Sequence, residues 1–381
     1  MTKLMQVNQM TNRERVVYNI AKNVPKPVLN VVIPGLNKIR VNRLKSLQTP
    51  LNLVYYATDM CNAKCEHCFY WKNLTKKADE LSFDEVKKII KSFKHPLELV
   101  IITGGEPFLR SDLYEICDAF YTINDAERIN IATNGFFVEK ICSLAERLME
   151  NHYGKRLTIL VSIDGLEKTH DTIRCVPGIY KKAIEAVRRV CSLQEKYKGL
   201  TVFVNTTIVK DNYKELAELN KIVRGLGAIH KFNVLRDNSS VGDINPGILN
   251  DFDPKSSVLP DFNGLESAYN VIEEMADSVP GKMEALKIRY SINMLKERKM
   301  QVKCLAGLTD GVLFSNGNVS VCEPTKSFAN IRDYEFDFAK LWSSEEAKKR
   351  KLQVSRCFCL QSCNLLNAMK YDTETILKVI K

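Results

Sequence analysis

Three cysteines in a short stretch carry the clearest chemistry of the sequence. Cys61, Cys65 and Cys68 have the spacing Cys-x3-Cys-x2-Cys and follow directly on a strand-like run. Three thiolates in a compact loop can ligate three irons of a cubane cluster and leave the fourth iron open. An open iron can bind and reduce a substrate or cosubstrate, so the spacing predicts a reactive cluster. The alternative is a structural zinc site, with His67 as the fourth ligand.

The segment around these cysteines resembles a known signature. Cys61-Asn-Ala-Lys-Cys65-Glu-His67-Cys68-Phe-Tyr70 resembles the CxxxCxΦC motif of radical S-adenosylmethionine (SAM) enzymes, in the variant with His at the aromatic position. Three further segments that resemble this family follow in the same order as in the family. They are Gly104-Gly105-Glu106-Pro107, Ser162-Ile-Asp164-Gly165 and His170-Asp-Thr-Ile-Arg174-Cys-Val-Pro-Gly178. Each segment alone is a weak signal, and four in register are a strong one.

The resemblance implies a SAM site beside the cluster. Glu106 is expected to hold the amino group of SAM, Ser162 and Asp164 to lie near its ribose and carboxylate, and Arg174 to approach it. Cys175 stands where the family usually has glycine, so we assign that thiol no function. Asn205 and Thr206 are weaker candidates, because polar residues of strands often simply face outward. The SAM-binding residues that we predict are Tyr70, Gly104, Gly105, Glu106, Pro107, Ser162, Asp164, Arg174, Asn205 and Thr206.

A second group of cysteines lies near the C-terminus, and its pattern resembles the SPASM/twitch domain of many radical SAM enzymes. The group consists of Cys304, Cys322, Cys357, Cys359 and Cys363. The resemblance implies an auxiliary [4Fe–4S] cluster held by four of these five thiols. Cys304, Cys322 and Cys363 are the firmest predicted ligands, while Cys357 and Cys359 compete for the fourth place. A structural zinc ion stays open as the alternative, because four thiolates suit either metal.

The elements that must position these residues alternate along the chain. Strand-like runs alternate with helical patterns such as Phe83/Val86/Ile89/Ile90/Phe93, which indicates βαβ units and a parallel sheet. The predicted strands are Leu53–Thr58, Leu97–Thr103, Arg128–Thr133, Leu157–Ile163, Thr201–Val209 and His230–Leu235. We therefore predict an α/β fold: a partial (β/α)6 TIM-type barrel of parallel strands with a small C-terminal cysteine-rich α+β domain. The motifs fall at the carboxyl ends of the strands, where barrels bind ligands.

Four regions follow from this pattern. Residues 1–50 form a basic extension with nine bases against one acid, out of a net charge of +11. Residues 51–236 form the barrel, residues 237–300 a linker and helix, and residues 301–381 the auxiliary-cluster domain. A turn at Ser315-Asn316-Gly317-Asn318 indicates a hairpin. Twelve cysteines without a signal-peptide pattern or membrane-spanning stretch favour a reducing, cytoplasmic location.

The expected activity is reductive cleavage of SAM and hydrogen abstraction from a small-molecule, sugar or lipid-linked substrate, with flavodoxin or ferredoxin as reductant. A maturase of a ribosomal peptide or protein side chain is one alternative, and a non-catalytic Fe–S electron carrier is another. The GGEP-like and SIDG-like segments favour an enzyme, since a carrier needs no SAM pocket. Residues 1–48 are predicted either to contact an anionic membrane at its inner face or to pack on the barrel. That stretch has one aromatic residue, Tyr18, and so offers no stacking platform for bases, which argues against binding of nucleic acid.

Overall fold

The computed structural model describes residues 24–74, 79–236, 258–354 and 358–380. Residues 1–23 of the predicted basic extension therefore lie outside the described residues, and so do Cys357 and residues 237–257 of the predicted linker. Within the described part, no helix is long and apolar enough to cross a membrane.

The strands of the described residues form a single sheet. They are β1 (Asn52–Thr58), β2 (Leu99–Gly104), β3 (Arg128–Thr133), β4 (Arg156–Ser162), β5 (Leu200–Ile208), β6 (Ile229–Val234), β7 (Asp310–Leu313), β8 (Asn318–Ser320) and β9 (Ala329–Asn330). The six strands predicted for the barrel are all present, each within two residues of its expected ends.

The helices cover the sheet and continue into the C-terminal region. They are α1 (Lys26–Lys45), α2 (Phe83–Ser92), α3 (Leu113–Thr122), α4 (Val138–Asn151), α5 (Glu167–Arg174), α6 (Ile179–Leu193), α7 (Leu216–Gly225), α8 (Phe262–Glu274), α9 (Val279–Glu297), α10 (Phe338–Trp342), α11 (Glu345–Val354), α12 (Ser362–Met369) and α13 (Thr373–Ile380). Short 3-10 helices lie at Trp71–Asn73, Pro107–Leu109 and Ile331–Tyr334.

The strand order is β6-β5-β4-β3-β2-β1-β7-β8-β9, and β1 to β6 all run parallel. The predicted α/β fold and partial TIM-type barrel are thus confirmed. All seven residues of β1 are buried, because this strand is central and covered on both faces. The parallel arrangement brings the carboxyl ends of the strands, and the motifs that follow them, to one side of the molecule.

Helix α2 shows how the sequence builds one layer. The hydroxyl of Ser82 accepts from the Glu85 N–H at 3.3 Å, and the Glu85 side chain accepts from the Ser82 N–H at 2.7 Å, which forms a capping box. Val86, Ile89 and Ile90 recur at helical spacing and are buried against the sheet. Burial of each such side chain contributes about 1.5–3 kcal/mol.

The C-terminal strands extend the barrel sheet instead of forming a separate one. Strand β7 pairs in parallel with β1, and β8 and β9 follow in antiparallel order. The predicted hairpin is present between β7 and β8, where Gly317 has a φ of +85°. The boundary between barrel and C-terminal domain remains a prediction, since one sheet crosses it.

Helix α1 packs one face on the C-terminal region. Leu29 and Ile33 are buried with Ile376 of α13. The guanidinium of Arg40 donates to the Lys370 carbonyl at 2.9 Å. The opposite face exposes apolar and basic side chains, among them Val28, Val31, Lys38, Ile39 and Arg43. One face of this helix is therefore packed on the C-terminal region and the other is exposed, while contact with a membrane remains a prediction.

Candidate active site

The carboxyl ends of the parallel strands surround a cavity of about 300 Å³, within the range of small-molecule sites. Nine of the residues predicted to hold the cluster or SAM lie in its wall. They are Cys61, Cys65, Cys68, Gly104, Gly105, Glu106, Ser162, Arg174 and Asn205. The structure thus brings together residues that are more than 140 positions apart in the chain.

The loop that carries the three cysteines is anchored on one side to the end of β2. The Gly105 N–H donates to the Thr58 carbonyl at 2.8 Å, and the Glu106 N–H donates to the Met60 carbonyl at 2.8 Å. A Cβ at Gly105 would lie 2.1 Å from the Met60 oxygen. Gly104 has a φ of +118°, and a Cβ there would lie 2.4 Å from the Thr58 oxygen. Glycine is required at both positions for this approach of the two backbones.

The other side of the same loop is held by the end of α5. The Lys64 N–H donates to the Arg174 carbonyl at 3.4 Å, and the Glu66 N–H donates to the Ile173 carbonyl at 3.0 Å. Carbonyls of a last helical turn lack partners within the helix, so the loop supplies them. The chain leaves α5 through Cys175, whose φ of 55° lies in the left-handed region. Glycine suits this conformation best, which explains why it is usual there in the related motif.

Arg174 links the cysteine loop to a buried carboxylate. Its Nη1 lies 3.6 Å from Cys65 Sγ, and its Nη2 lies 2.5 Å from Asp164 Oδ2. Burial acts to raise the pKa of Asp164, but the charge of Arg174, helped by a hydrogen bond from the Thr207 N–H, holds this pKa below its usual value. Asp164 is therefore an ionised group that orients Arg174.

His67 contributes a neutral side chain to the cavity wall. Its Nε2 lies 3.6 Å from Asp164 Oδ2. Burial lowers the pKa of His67 to about 4, although the Asp164 carboxylate opposes this effect. The imidazole is therefore uncharged at neutral pH.

Two thiols of the cavity wall, those of Cys61 and Cys65, resist ionisation on their own. Burial raises the pKa of Cys61 to about 12, and it raises the pKa of Cys65 against the opposing charge of Arg174. Buried thiols of this kind become thiolate ligands when a metal cation compensates their charge. Soft sulfur donors with a guanidinium beside one of them fit an iron–sulfur cluster. Cys61, Cys65 and Cys68 would hold such a cluster at the cavity.

Glu106 is the buried carboxylate that faces this cavity. Its Oε1 accepts from the Thr133 hydroxyl at 2.7 Å and from the Phe108 N–H at 3.2 Å, and its Oε2 accepts from the Asn134 N–H at 2.8 Å. Burial raises the pKa of Glu106 to about 7, although these donors and Arg174 act to lower it. A cation in the cavity, such as the amino group of SAM, would favour the ionised form.

Four of the predicted SAM contacts do not line the described cavity: Tyr70, Pro107, Asp164 and Thr206. The hydroxyl of Tyr70 donates to Asp59 Oδ1 at 2.9 Å, and Pro107 is buried at the start of a 3-10 helix. The Thr206 hydroxyl donates to the Ile163 carbonyl at 2.5 Å. Successive residues of a strand face opposite sides, so Asn205 and Thr206 cannot both reach the cavity.

Sequence reasoning missed further residues of this site, among them Thr207, Asn233 and Lys287. Thr207 lies two positions after Asn205 on the same face of β5 and lines the cavity, and strand alternation could have identified it. Asn233 Nδ2 donates to Asn205 Oδ1 at 2.6 Å, and Lys287 Nζ donates to Asn233 Oδ1 at 3.0 Å. No local signal connects Lys287 to the site, because α9 is distant in sequence.

The C-terminal cysteines divide into two positions. Burial, and to a smaller extent the nearby Cys359 thiol, raise the pKa of Cys304 to about 12. The same two causes raise the pKa of Cys322. Cys363 instead lines the cavity and is exposed there, although the surrounding protein raises the pKa of its thiol to about 12. No three His, Cys, Asp or Glu side chains of the described residues converge on one metal-ion position.

Comparison with known proteins agrees with this geometry. Residues 55–223 match the family model of the Radical SAM superfamily. They contain the cysteine loop, the end of β2 and the α5 segment described above. Residues 55–223 are therefore a radical SAM domain, and the enzymes of that superfamily use a [4Fe–4S] cluster and SAM.

Individual relatives resemble different lengths of the chain. The AdoMet-dependent heme synthase of Methanosarcina barkeri is 30% identical over 47% of this chain and 49% of that protein. The antilisterial bacteriocin subtilosin biosynthesis protein AlbA of Bacillus subtilis is 27% identical over 86% of this chain and 70% of that protein. The structure of native anSMEcpe with bound AdoMet and Cp18Cys peptide has a TM-score of 0.56 at 17% identity, covering 80% and 83% of the two chains. The chain spans about half the length of the curated heme synthase that it matches, and the structural likeness concerns the fold alone.

Proposed function

We propose that this protein reductively cleaves SAM and abstracts a hydrogen atom from a substrate bound in the same cavity. When bound, the cluster at Cys61, Cys65 and Cys68 supplies the electron that splits SAM into methionine and a 5′-deoxyadenosyl radical. A reduced carrier of the flavodoxin or ferredoxin type provides that electron. One observation supports this most directly: three thiols and the buried carboxylate of Glu106 face one cavity.

The residues of the wall bind and orient SAM. Glu106 binds the amino group, because it is a buried carboxylate whose charge a cation would stabilise. Ser162 and Asn205 provide polar contacts at neighbouring strand ends, and Arg174 approaches SAM from the end of α5. Asp164 acts through Arg174 as a positioning residue.

The substrate that we propose first is a small molecule, a sugar or the head group of a lipid-linked molecule. A cavity of about 300 Å³ fits a ligand of that size beside part of the SAM molecule. A non-catalytic electron carrier is the weaker alternative, since relay of electrons requires no cavity that reaches the thiols and Glu106.

A peptide or protein side chain is the second candidate substrate. AlbA, a bacteriocin biosynthesis protein, is similar over 86% of this chain. The fold is also shared with anSMEcpe, which has been solved with a Cp18Cys peptide. A peptide would place one side chain in the cavity and the rest of its length outside.

The C-terminal cysteines are proposed to hold a second [4Fe–4S] cluster. Cys304, Cys322 and Cys359 are buried close to one another, so each disfavours ionisation of its neighbours unless a metal compensates. The fourth ligand is either Cys363 or Cys357, the latter outside the described residues. The alternative is a zinc ion bound by the same thiols. About eight irons per chain would exclude it, and about four would support it.

We also propose that the protein is cytoplasmic and that α1 makes peripheral contact with an anionic membrane. Its outer face combines Val28, Val31 and Ile39 with Lys38 and Arg43, while the inner face is occupied by packing. Each base near an anionic surface contributes about 1 kcal/mol. Charge reversal at Lys38 and Arg43 should therefore abolish sedimentation with phosphatidylserine vesicles without loss of iron. Equal sedimentation of this variant would contradict the proposal.

The activity is tested by 5′-deoxyadenosine formation from SAM with dithionite after anaerobic reconstitution. The wild-type protein is expected to form 5′-deoxyadenosine and to bind about eight irons per chain, four for each cubane. Cys65→Ala should remove the activity, because Cys65 is one of only three predicted ligands of the SAM cluster. Cys191→Ala, a partly buried thiol of α6, is the matched control and should retain it. SAM cleavage by Cys65→Ala would refute the assignment.

A further inference from the structure

Arg236 lies two residues beyond β6 in the cavity wall and is held rigidly. Only 7% of its surface is exposed. Its Cζ lies 3.2 Å from the centroid of the Phe69 ring, so one face of the guanidinium is covered. Its Nη1 donates to Gln361 Oε1 at 2.5 Å, and Gln361 donates in turn to Glu323. Glu323 also accepts from the Tyr56 hydroxyl at 2.7 Å, which fixes the far end of this network.

One edge of the same guanidinium is unused. Nε and Nη2 of Arg236 are buried and have no hydrogen-bond partner among the described residues. These two nitrogens carry the parallel N–H bonds with which arginine binds two oxygens of one carboxylate or phosphate. Buried charged donors without acceptors are unfavourable, so a ligand that supplies acceptors would be bound strongly. Arg174, the other arginine of the described wall, is already paired with Asp164.

We infer that Arg236 binds an anionic group of the substrate, a carboxylate, through Nε and Nη2. The inference rests on the proposed function, because it assigns one part of the substrate that this cavity takes. A planar, singly charged carboxylate fits better than a phosphate dianion, since Glu323 is tied to Arg236 through Gln361 and would repel the larger charge.

The position of Arg236 also orients that substrate. Its contacts come from Phe69, directly after the third cysteine, and from Gln361, two residues before Cys363. A carboxylate bound there would hold the substrate between the cysteine loop and the C-terminal segment. Arg236 is a positioning residue in this scheme, since it touches a remote group of the substrate and not the carbon that loses hydrogen.

The test uses acetate as the probe, on the reconstituted holoenzyme loaded with S-adenosylhomocysteine. That ligand fills the SAM site, including the place of the SAM carboxylate, and cannot be cleaved reductively like SAM. With the cluster reduced by dithionite, acetate in the cavity gains paramagnetic relaxation of its ¹³C signal, whereas acetate elsewhere on the surface does not. We expect Arg236→Gln to lower this enhancement at least tenfold. Arg236→Lys should lower it less, since charge is kept and the two-nitrogen edge is lost.

Matched controls make the result decisive. Arg188→Gln removes an exposed arginine of α6 and should leave the enhancement unchanged. Iron content and S-adenosylhomocysteine binding of each variant show whether it has folded. Should Arg236→Gln fail to fold, a crystal of the wild-type holoenzyme soaked in acetate must show the carboxylate on Nε and Nη2.

Three outcomes would overturn the inference: no enhancement in the wild type, equal enhancement in folded Arg236→Gln, or enhancement with inorganic phosphate (³¹P) but not with acetate. A soaked crystal without acetate at this edge would do the same. Failure of the proposed function is seen separately, as a reduced cluster whose EPR signal does not respond to SAM.

Discussion

The two cysteine groups of this protein are positioned by different means. Cys61, Cys65 and Cys68 lie on one loop whose backbone is bonded to the ends of β2 and α5. The C-terminal cysteines come from separate segments. Cys304 precedes β7, Cys322 follows β8, and Cys359 and Cys363 flank the start of α12. One group is therefore arranged by local backbone geometry, and the other by the packing of distant parts of the chain.

This difference indicates which substitutions should disturb each cysteine group. The first loop depends on a few positions at which two backbones touch, and a single methyl group there should displace all three thiols. The second group depends on side chains that pack in a shared core, where Cys304 and Cys322 contact the same cluster of apolar residues as β1 and α10. Loss of one ligand there should disturb that site and leave the first intact.

The largest effect is expected for Gly105→Ala. The added Cβ would lie 2.1 Å from the Met60 oxygen, so the cysteine loop must move. Displacement of catalytic groups by about 1 Å costs roughly a hundredfold in rate, and we expect at least this loss of SAM cleavage. Gly225→Ala, where the Cβ meets no atom within 4 Å, is the control and should keep full activity. Normal activity of Gly105→Ala would show that the loop does not depend on this contact.

A partial loss is expected for Cys322→Ala. Removal of one predicted auxiliary ligand should reduce iron from about eight to about four per chain, because the SAM cluster has separate ligands. SAM cleavage without substrate should continue. Iron analysis together with the 5′-deoxyadenosine assay measures both. Retention of eight irons would remove Cys322 from the ligand set, and loss of all iron would show that the two sites are not independent.

A tenfold effect is expected from pH. The pKa of Glu106 is raised to about 7, and only its ionised form pairs with the amino group of SAM. Protonation therefore competes with binding as pH falls, and the dissociation constant for SAM should be roughly tenfold higher at pH 6 than at pH 8. Titration calorimetry with the oxidised holoenzyme measures it. Glu106→Gln should bind weakly at both values, and the same pH dependence in this variant would assign the effect to another group.

The smallest effect is expected at Cys175, the left-handed residue after α5. Non-glycine residues in this conformation are strained by about 1–2 kcal/mol, and glycine loses part of this gain through its greater freedom in the unfolded chain. Cys175→Gly should therefore raise the free energy of unfolding by no more than about 1 kcal/mol in urea denaturation. Cys175→Ala keeps the Cβ, so its free energy of unfolding should not increase. Equal stabilisation by alanine would trace the effect to the thiol.

The sequence was sufficient for features that depend on local spacing. The alternation of apolar runs located all six barrel strands, because a strand buried on both faces requires a continuous apolar segment. The cysteine spacing and the Gly104-Gly105-Glu106 segment located one side of the cavity. These residues act within a few positions of one another, and backbone geometry leaves them little choice of arrangement.

Only the tertiary structure decided which polar side chains meet at the cavity. It separated Thr206 from Thr207 by the alternation of β5, and it paired the buried Asp164 with Arg174 of the cavity wall. It also brought Arg236 and Gln361, 125 positions apart, into one hydrogen bond. Contacts of this kind arise from the packing of whole elements, so no pattern of neighbouring residues records them. Local motifs can therefore be recognised in the sequence, while the contacts between distant side chains depend on the tertiary structure.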